Sequence, residues 1–213
     1  MNEWQDKPER LAQYFPLLSS YNALLKEKGI IMRILNIFAV VLVLAACTFA
    51  QQDKSKRPSQ PGTAEITLNG KKITVDYSRP KIADPKTGEP RKIMGDVVPY
   101  GRVWRTGANE ATTLKTEADL DVDGKTVPAG TYTLFTLPES DKWTLIISKK
   151  TGEWGIPYPG ETNDLARVPM NVEHLQQTVD PFTITLTAGS GNSQAKMCVA
   201  WETTQACVNL TAK

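Results

Sequence analysis

The stretch VWRTGANEATTL, Val103 to Leu114, gathers Trp104, Arg105, Gly107, Asn109 and Glu110 into a few positions, with Tyr100 just upstream. These types suit recognition of a small polar ligand. A guanidinium is a planar fork of donors that matches a carboxylate or phosphate, an Asn side chain offers both a donor and an acceptor, and an aromatic face stacks on a ring. Glu110 could also serve as a general acid or base if burial moved its pKa. The same residues equally describe the wiring of a turn. Gly107 would supply the reversal, Asn109 would bond the loop backbone, Arg105 and Glu110 would satisfy each other, and Trp104 would pack at the sheet edge.

Two further stretches carry candidate chemistry. In DYSRPKIADPKTGEPRKIMG, Arg79 follows a strand end and opens a long Pro-rich connection, and connections of that length are often functional. In GEWGIPYPGETNDLAR, Trp154 and Tyr158 could be lids over a groove or anchors for their loop, while Asp164 and Arg167 read as a local ion pair at a strand start. A glycan hydrolase would need Glu110 and a second carboxylate, from Asp96, Asp164 or Glu153, about 5–10 Å away across a groove. The chain has one His, His174, which reads as an exposed or hydrogen-bonded strand residue. No zinc-hydrolase pattern, nucleophile elbow or phosphate-binding glycine loop accompanies it, so neither a metal nor a cofactor is expected. With 25 Lys and Arg mixed among 23 Asp and Glu, no basic patch points to nucleic acid.

The elements that must position these residues read as strands. AEITLNGKKITVDYS holds two alternating runs around Asn69-Gly70, a pair suited to positive φ in a type I′ hairpin turn. Ile66 and Leu68 share one face of the first run, and Ile73, Val75 and Tyr77 share one face of the second. The alternation returns in TVPAGTYTLFTL, KWTLIIS, DPFTITLT, AKMCVAWE and ACVNLT, separated by turn-rich segments. Short strands without a sustained helical period predict an all-β fold, a single-domain antiparallel β-sandwich preceded by a signal segment and a flexible tether.

MCVAWETTQACVNL reads as a hairpin turning at Glu202-Thr203, which sets Cys198 opposite Cys207. Both thiols then fall on the face opposite Met197, Val199 and Trp201, in a pair without backbone hydrogen bonds, where side chains approach most closely. An oxidising compartment would allow a disulfide between them.

That compartment is suggested upstream. Residues 1–31 read as an extension that is not native or not structured. Residues 32–50, MRILNIFAVVLVLAACTFA, run from a charge through an apolar core to small residues, as a secretory signal does. LAAC, at 44–47, is similar to a lipobox and makes Cys47 a candidate for acylation; TFA, just after it, offers ordinary cleavage. Residues 51–63 read as a tether and residues 64–213 as the folded domain. The chain is thus expected in the periplasm or outer envelope, meeting the membrane only through a lipid anchor or an uncleaved signal.

On ITVDYSRPKI, PRKIMGDVVPYGRVWRTGANEATTL, VPAGTYTLFTLP, KWTLIISKKTGEWG and DLARVPM, in this order, the sequence resembles a bacterial exported family, domain of unknown function 2911. The resemblance covers nearly everything after the tether. It implies an exported β-rich domain and directs attention to Tyr100, Trp104, Arg105, Gly107, Asn109 and Glu110, but it implies no activity. The expected function is therefore a non-catalytic, envelope-associated module binding an unknown small polar ligand or glycan; the alternative is the carboxylate-dependent hydrolase of envelope glycans. Arg79, Tyr100, Trp104, Arg105, Asn109 and Glu110 are the binding candidates.

Overall fold

Asn69 and Gly70 both take positive φ, 49° and 75°. They join β1 (Gln60–Leu68) to β2 (Lys71–Arg79) in a register that sets Ile66 opposite Ile73 and Ala64 opposite Val75. The structure is a computed structural model and describes residues 56–213, which lie within one compact unit, Lys54–Lys213. The N-terminal extension, the signal segment with Cys47, and the tether as far as residue 55 lie outside the described residues. The first strand begins before residue 64, the expected start of the folded domain. Residues 60–63 are strand, because each pairs with a residue of β2 from Asp76 to Arg79, and Gly62 leaves space that a Cβ would take from Arg79 at 2.7 Å.

The remaining strands are β3 (Thr112–Thr116), β4 (Leu120–Val122), β5 (Lys125–Val127), β6 (Gly130–Pro138), β7 (Trp143–Ser148), β8 (Asp164–Ala188) and β9 (Gln194–Ala212). All pair antiparallel, in the order β1-β2-β3-β6-β7-β8-β9-β4-β5. The fold is an all-β antiparallel sandwich made from one continuous nine-stranded order rather than from two separate sheets.

The long strands β8 and β9 make that possible by reversing. A fully extended nine-residue run spans about 30 Å, yet Cys198 and Cys207 lie 4.1 Å apart at Cα and form a disulfide. The Ala212 N–H also donates to the Ser193 carbonyl at 2.8 Å. Both pairs match a turn at Glu202-Thr203, the register expected from the sequence. That turn has no Gly. Glu202 itself takes φ 51°, a conformation a Cβ disfavours, and its carboxylate accepts the backbone N–H groups of Ile93 (3.2 Å) and Met94 (3.3 Å).

β8 wraps the tip of this hairpin. Its residues 171–174 pair with residues 207–204 on one flank, and its residues 183–188 pair with 200–195 on the other, with register shifts between His174 and Thr183 where it crosses. One layer therefore holds β1, β2, β3, β6, β7 and the start of β8, and the second holds the rest of β8 with β9, β4 and β5. Their inner faces share one core, with Val75, Leu114 and Leu145 from the first and Phe182, Val199 and Leu210 from the second. Tyr77 ties the layers with its hydroxyl, which donates to the Ile184 carbonyl (3.3 Å) and accepts the Ile184 N–H (3.0 Å).

β6 and β7 are covered on both faces. Leu134 and Leu145 enter the main core, while Phe135 and Ile146 join Ala111 in a smaller cluster on the other side, covered by Val103, Leu137 and Tyr158. This explains why TLFTL and TLIIS read as nearly continuous apolar runs.

Candidate functional site

The loop from Trp104 to Glu110 is fixed at almost every residue. Trp104 bridges β6 through two backbone bonds with Thr136, at 2.7 and 2.9 Å, and its indole N–H donates to the Gly107 carbonyl at 3.1 Å. The buried Thr106 bonds Thr136 through their hydroxyls (3.2 Å), and its carbonyl accepts the Thr112 hydroxyl at 2.6 Å. Gly107 has φ 150°, and a Cβ there would lie 2.9 Å from the Ser78 carbonyl oxygen. Asn109, at φ 57°, donates from its side chain to the Ser59 carbonyl (3.0 Å) and the Ser78 hydroxyl (3.3 Å). Much of the motif is thus wiring.

The expected Arg105–Glu110 pair does not form. Glu110 instead receives Arg57, whose Nη1 reaches both carboxylate oxygens at 2.8 and 2.7 Å. Arg105 is half-buried and donates through Nη1 to the backbone carbonyls of Asn109 (2.7 Å) and Trp154 (3.2 Å). Its guanidinium carbon lies 5.6 Å from the centre of the Trp154 ring, a cation–π contact. Burial lowers its pKa and the Glu110 charge acts in the opposite direction, but no carboxylate among the described residues is in ion-pair contact with it.

Arg105 opens onto a cleft of about 470 Å³ at one end of the sandwich. Its walls come from segments distant in sequence: Pro58 and Ser59 before β1, Pro80 to Val97 after β2, the Trp104–Ala108 turn, and Ile156. Trp104 and Trp201 line it as a stacked pair, with centroids 6.0 Å apart and planes 18° apart, backed edge-on by Phe182. Lys81, Arg91 and Arg105 bring three positive charges to the lining, against the one negative charge of Asp84. Asp84 is already engaged. The N–H groups of Lys86 and Thr87 bond its carboxylate and, with Arg91, hold its pKa below the ordinary value.

The flanking segments are anchored rather than loose. The connection after β2 buries Ile93, Met94 and Val98 in the core, and the Asp180 carboxylate accepts the Ile82 N–H at 2.9 Å. On the opposite rim, Tyr158 donates to Asp164 (2.6 Å), accepts from Arg167 (3.1 Å) and packs edge-on against Phe135. Asp164 and Arg167 form the expected ion pair at 2.8 Å. Burial first, then the bond to Asp164, push the Tyr158 pKa up to about 12. Tyr158 is therefore an anchor, and the segment it pins carries Trp154 over Arg105 and Ile156 into the cleft rim. Val97, Tyr100, Trp154 and Ile156 are the exposed large apolar residues of the described chain, and two of them, Val97 and Ile156, line this cleft.

Residues 59–210 match the family described as "Protein of unknown function (DUF2911)". The chain belongs to this family. No curated protein and no solved structure matches it.

In this DUF2911 domain the other candidates are dispersed. Arg79 joins the layers, donating to the Phe182 carbonyl (3.4 Å) and the Thr183 hydroxyl (3.2 Å). Tyr100, Asn109 and Glu110 do not line the cleft. Glu110 faces a smaller one of about 300 Å³, which it shares with Asp76 and not with Asp96, Asp164 or Glu153. Asp76 is paired with Lys115 at 2.9 Å, and Glu153 lies 3.5 Å from Lys150. His174 is exposed and paired with Thr204 in the β8–β9 ladder. Among the described residues, no group of three or more His, Cys, Asp or Glu side chains converges as a metal site would require. The reading from residue types missed Trp201, Lys81, Arg91 and Ile156. Trp201 was assigned to the core by period two, which is correct, but nothing local shows that the core is open at that point.

Proposed function

We propose that the protein is an exported, envelope-associated module that binds a small organic anion, without catalysis, in the cleft between the Trp104–Ala108 turn and the connection after β2. The observation that carries this reading is Arg105, a half-buried cation that contacts carbonyls and a ring but no carboxylate, on the wall of a cleft with two further cations. A half-buried charge with no counter-charge is costly, and an anionic ligand is the missing partner. Trp104, Val97 and Ile156 supply apolar surface for the ligand's body.

The hydrolase alternative has one observation in its favour, the shared cleft of Asp76 and Glu110. Both carboxylates are tied up by cations of the protein, Asp76 by Lys115 at 2.9 Å and Glu110 by Arg57 at 2.7 Å, whereas glycoside hydrolysis needs both directed at the substrate. Binding is therefore the stronger reading.

Thermal shift and calorimetry on the full chain test it, with benzoate, isophthalate, phenyl phosphate and citrate at low and high salt. At least one organic anion should raise Tm, more at low salt, and Arg105→Ala should abolish the effect. Absence of any shift at millimolar concentrations would overturn the proposal.

A further inference from the structure

The rim of the anion cleft turns apolar side chains toward water on a segment whose backbone is pinned. Trp154 is 53 % exposed and Ile156 is 65 % exposed, while Gly155 between them is buried. The Glu153 carbonyl accepts the Ala111 N–H at 3.1 Å, and the Trp154 carbonyl accepts Arg105. Gly155 packs so closely that a Cβ would lie 2.8 Å from that of Arg105 and 2.9 Å from that of Ala111. Val97, also exposed, lines the same cleft from the connection after β2. Large apolar side chains gathered at one exposed place mark an interaction surface, and three of the four in the described chain border this opening.

Positive charge gathers at the same end. The stretch from Pro80 to Arg105 holds six Lys and Arg against three Asp and Glu, a net of +3, whereas the whole chain carries +2. The excess therefore lies on the stretch that walls this cleft. Arg91 and Arg105 are half-buried there, whereas Trp154 and Ile156 are exposed. A bilayer surface presents the matching order, because a protruding Trp or Ile passes between the phosphates toward hydrocarbon while a recessed cation stops at them. A free anion within the cleft leaves the outward parts of both side chains in water. The chain also enters the domain at this end, since Pro58 and Ser59 form part of the cleft wall, so a membrane attachment upstream would be tied to this face.

We propose that this end of the domain docks on an anionic phospholipid surface, with a headgroup phosphate in the cleft against Arg105, Arg91 and Lys81, and with Trp154, Ile156 and Val97 set among the lipids around it. This rests on the anion-binding reading and names the source of the anion. It also gives the folded domain a membrane contact of its own, besides a lipid anchor or an uncleaved signal.

The test sediments the full chain with vesicles of phosphatidylcholine alone and of phosphatidylcholine mixed equally with phosphatidylglycerol, and titrates phenyl phosphate as a soluble anion. The parent should bind the mixed vesicles about 10- to 100-fold more tightly than the neutral ones, with the advantage shrinking as salt rises. Trp154→Ser with Ile156→Ser should weaken binding to mixed vesicles by about 10- to 100-fold, as two inserted apolar side chains are lost, and should affect phenyl phosphate far less. The apolar segment upstream is the same in parent and variant, so their difference reports the rim.

Fluorescence gives a second readout at the rim itself. Phospholipids carrying a nitroxide near the top of the acyl chain should quench the parent more than Trp154→Phe, in which one of the five tryptophans is gone. Equal vesicle affinity of parent and double variant, or equal quenching of parent and Trp154→Phe, would overturn this inference; if phenyl phosphate still raises Tm, the cleft remains a site for a soluble anion. Equal binding of neutral and mixed vesicles would overturn it as well. No response to any soluble anion would instead overturn the reading on which it rests.

Discussion

Arg57 and Arg105 lie on opposite sides of the same loop and are neutralised in different ways. Arg57, from the start of the described chain, has a carboxylate across its Nη1, with Glu110 at 2.7 Å. Arg105, five positions before Glu110, has two carbonyls and an aromatic face. The first arrangement is complete within the protein and ties the entry of β1 to the loop. The second leaves a charge to be met from outside. Two arginines of similar burial can thus signify a clamp or a site, and the identity of the counter-group separates them.

Arg105→Ala gives the largest effect. Removing the principal charge contact should weaken binding of an organic anion by about 10- to 100-fold, matching the roughly 1.5–3 kcal/mol of a hydrogen bond to a charged group, with only a small change in Tm. Calorimetry and melting on the same sample decide this; a large fall in Tm with unchanged affinity would make Arg105 a clamp like Arg57. Gly155→Ala comes next. Gly155 has φ 84°, and a Cβ would sit 2.8 Å from Arg105 Cβ and 2.9 Å from Ala111 Cβ. Strain and displacement of the Trp154 segment should destabilise the fold by about 1–3 kcal/mol, and this change should also weaken anion binding because Trp154 no longer covers Arg105.

Glu110→Ala should lie on the other side of the comparison. It leaves Arg57 partly buried without its carboxylate, at about 1–2 kcal/mol given the partial exposure of the pair. At this chain length that is a fall in Tm of about 3–6 °C, with anion affinity unchanged. Loss of affinity without loss of stability would place Glu110 in the binding site after all.

The fold was legible where local chemistry and pairing coincide. Asn69-Gly70 specifies its hairpin by backbone preference, and Cys198 and Cys207 find each other because a short turn fixes their register. The site was half legible. Trp104 and Arg105 stand out by type, but their partners are set by contacts remote in sequence. Arg57 lies 53 positions from Glu110 in a stretch whose Pro and charge content reads as tether, so the expected Arg105–Glu110 pair had a competitor with no local signal. Trp201 lies on the core face of β9, as alternation requires, and becomes a cleft residue only because the sandwich ends beside it.

The smallest effect concerns the anchor that holds the Trp154 segment, and pH isolates it. The Tyr158 pKa is pushed up to about 12 in the folded chain, by burial and then by the bond to Asp164, whereas an unfolded Tyr titrates near 10. The folded state thus retains a proton that the unfolded state loses between those values, and stability falls as pH rises through that window. The contribution is complete below about pH 10 and disappears above about pH 12. Lysines titrate in the same range, so the comparison is with Tyr158→Phe, which cannot ionise and already lacks the bond to Asp164. At neutral pH the parent should melt above the variant, and the gap should narrow as pH rises toward 12. No gap at neutral pH would mean that the Tyr158 hydroxyl contributes nothing, and that the segment over Arg105 is held by ring contact with Phe135 rather than by the bonds to Asp164 and Arg167.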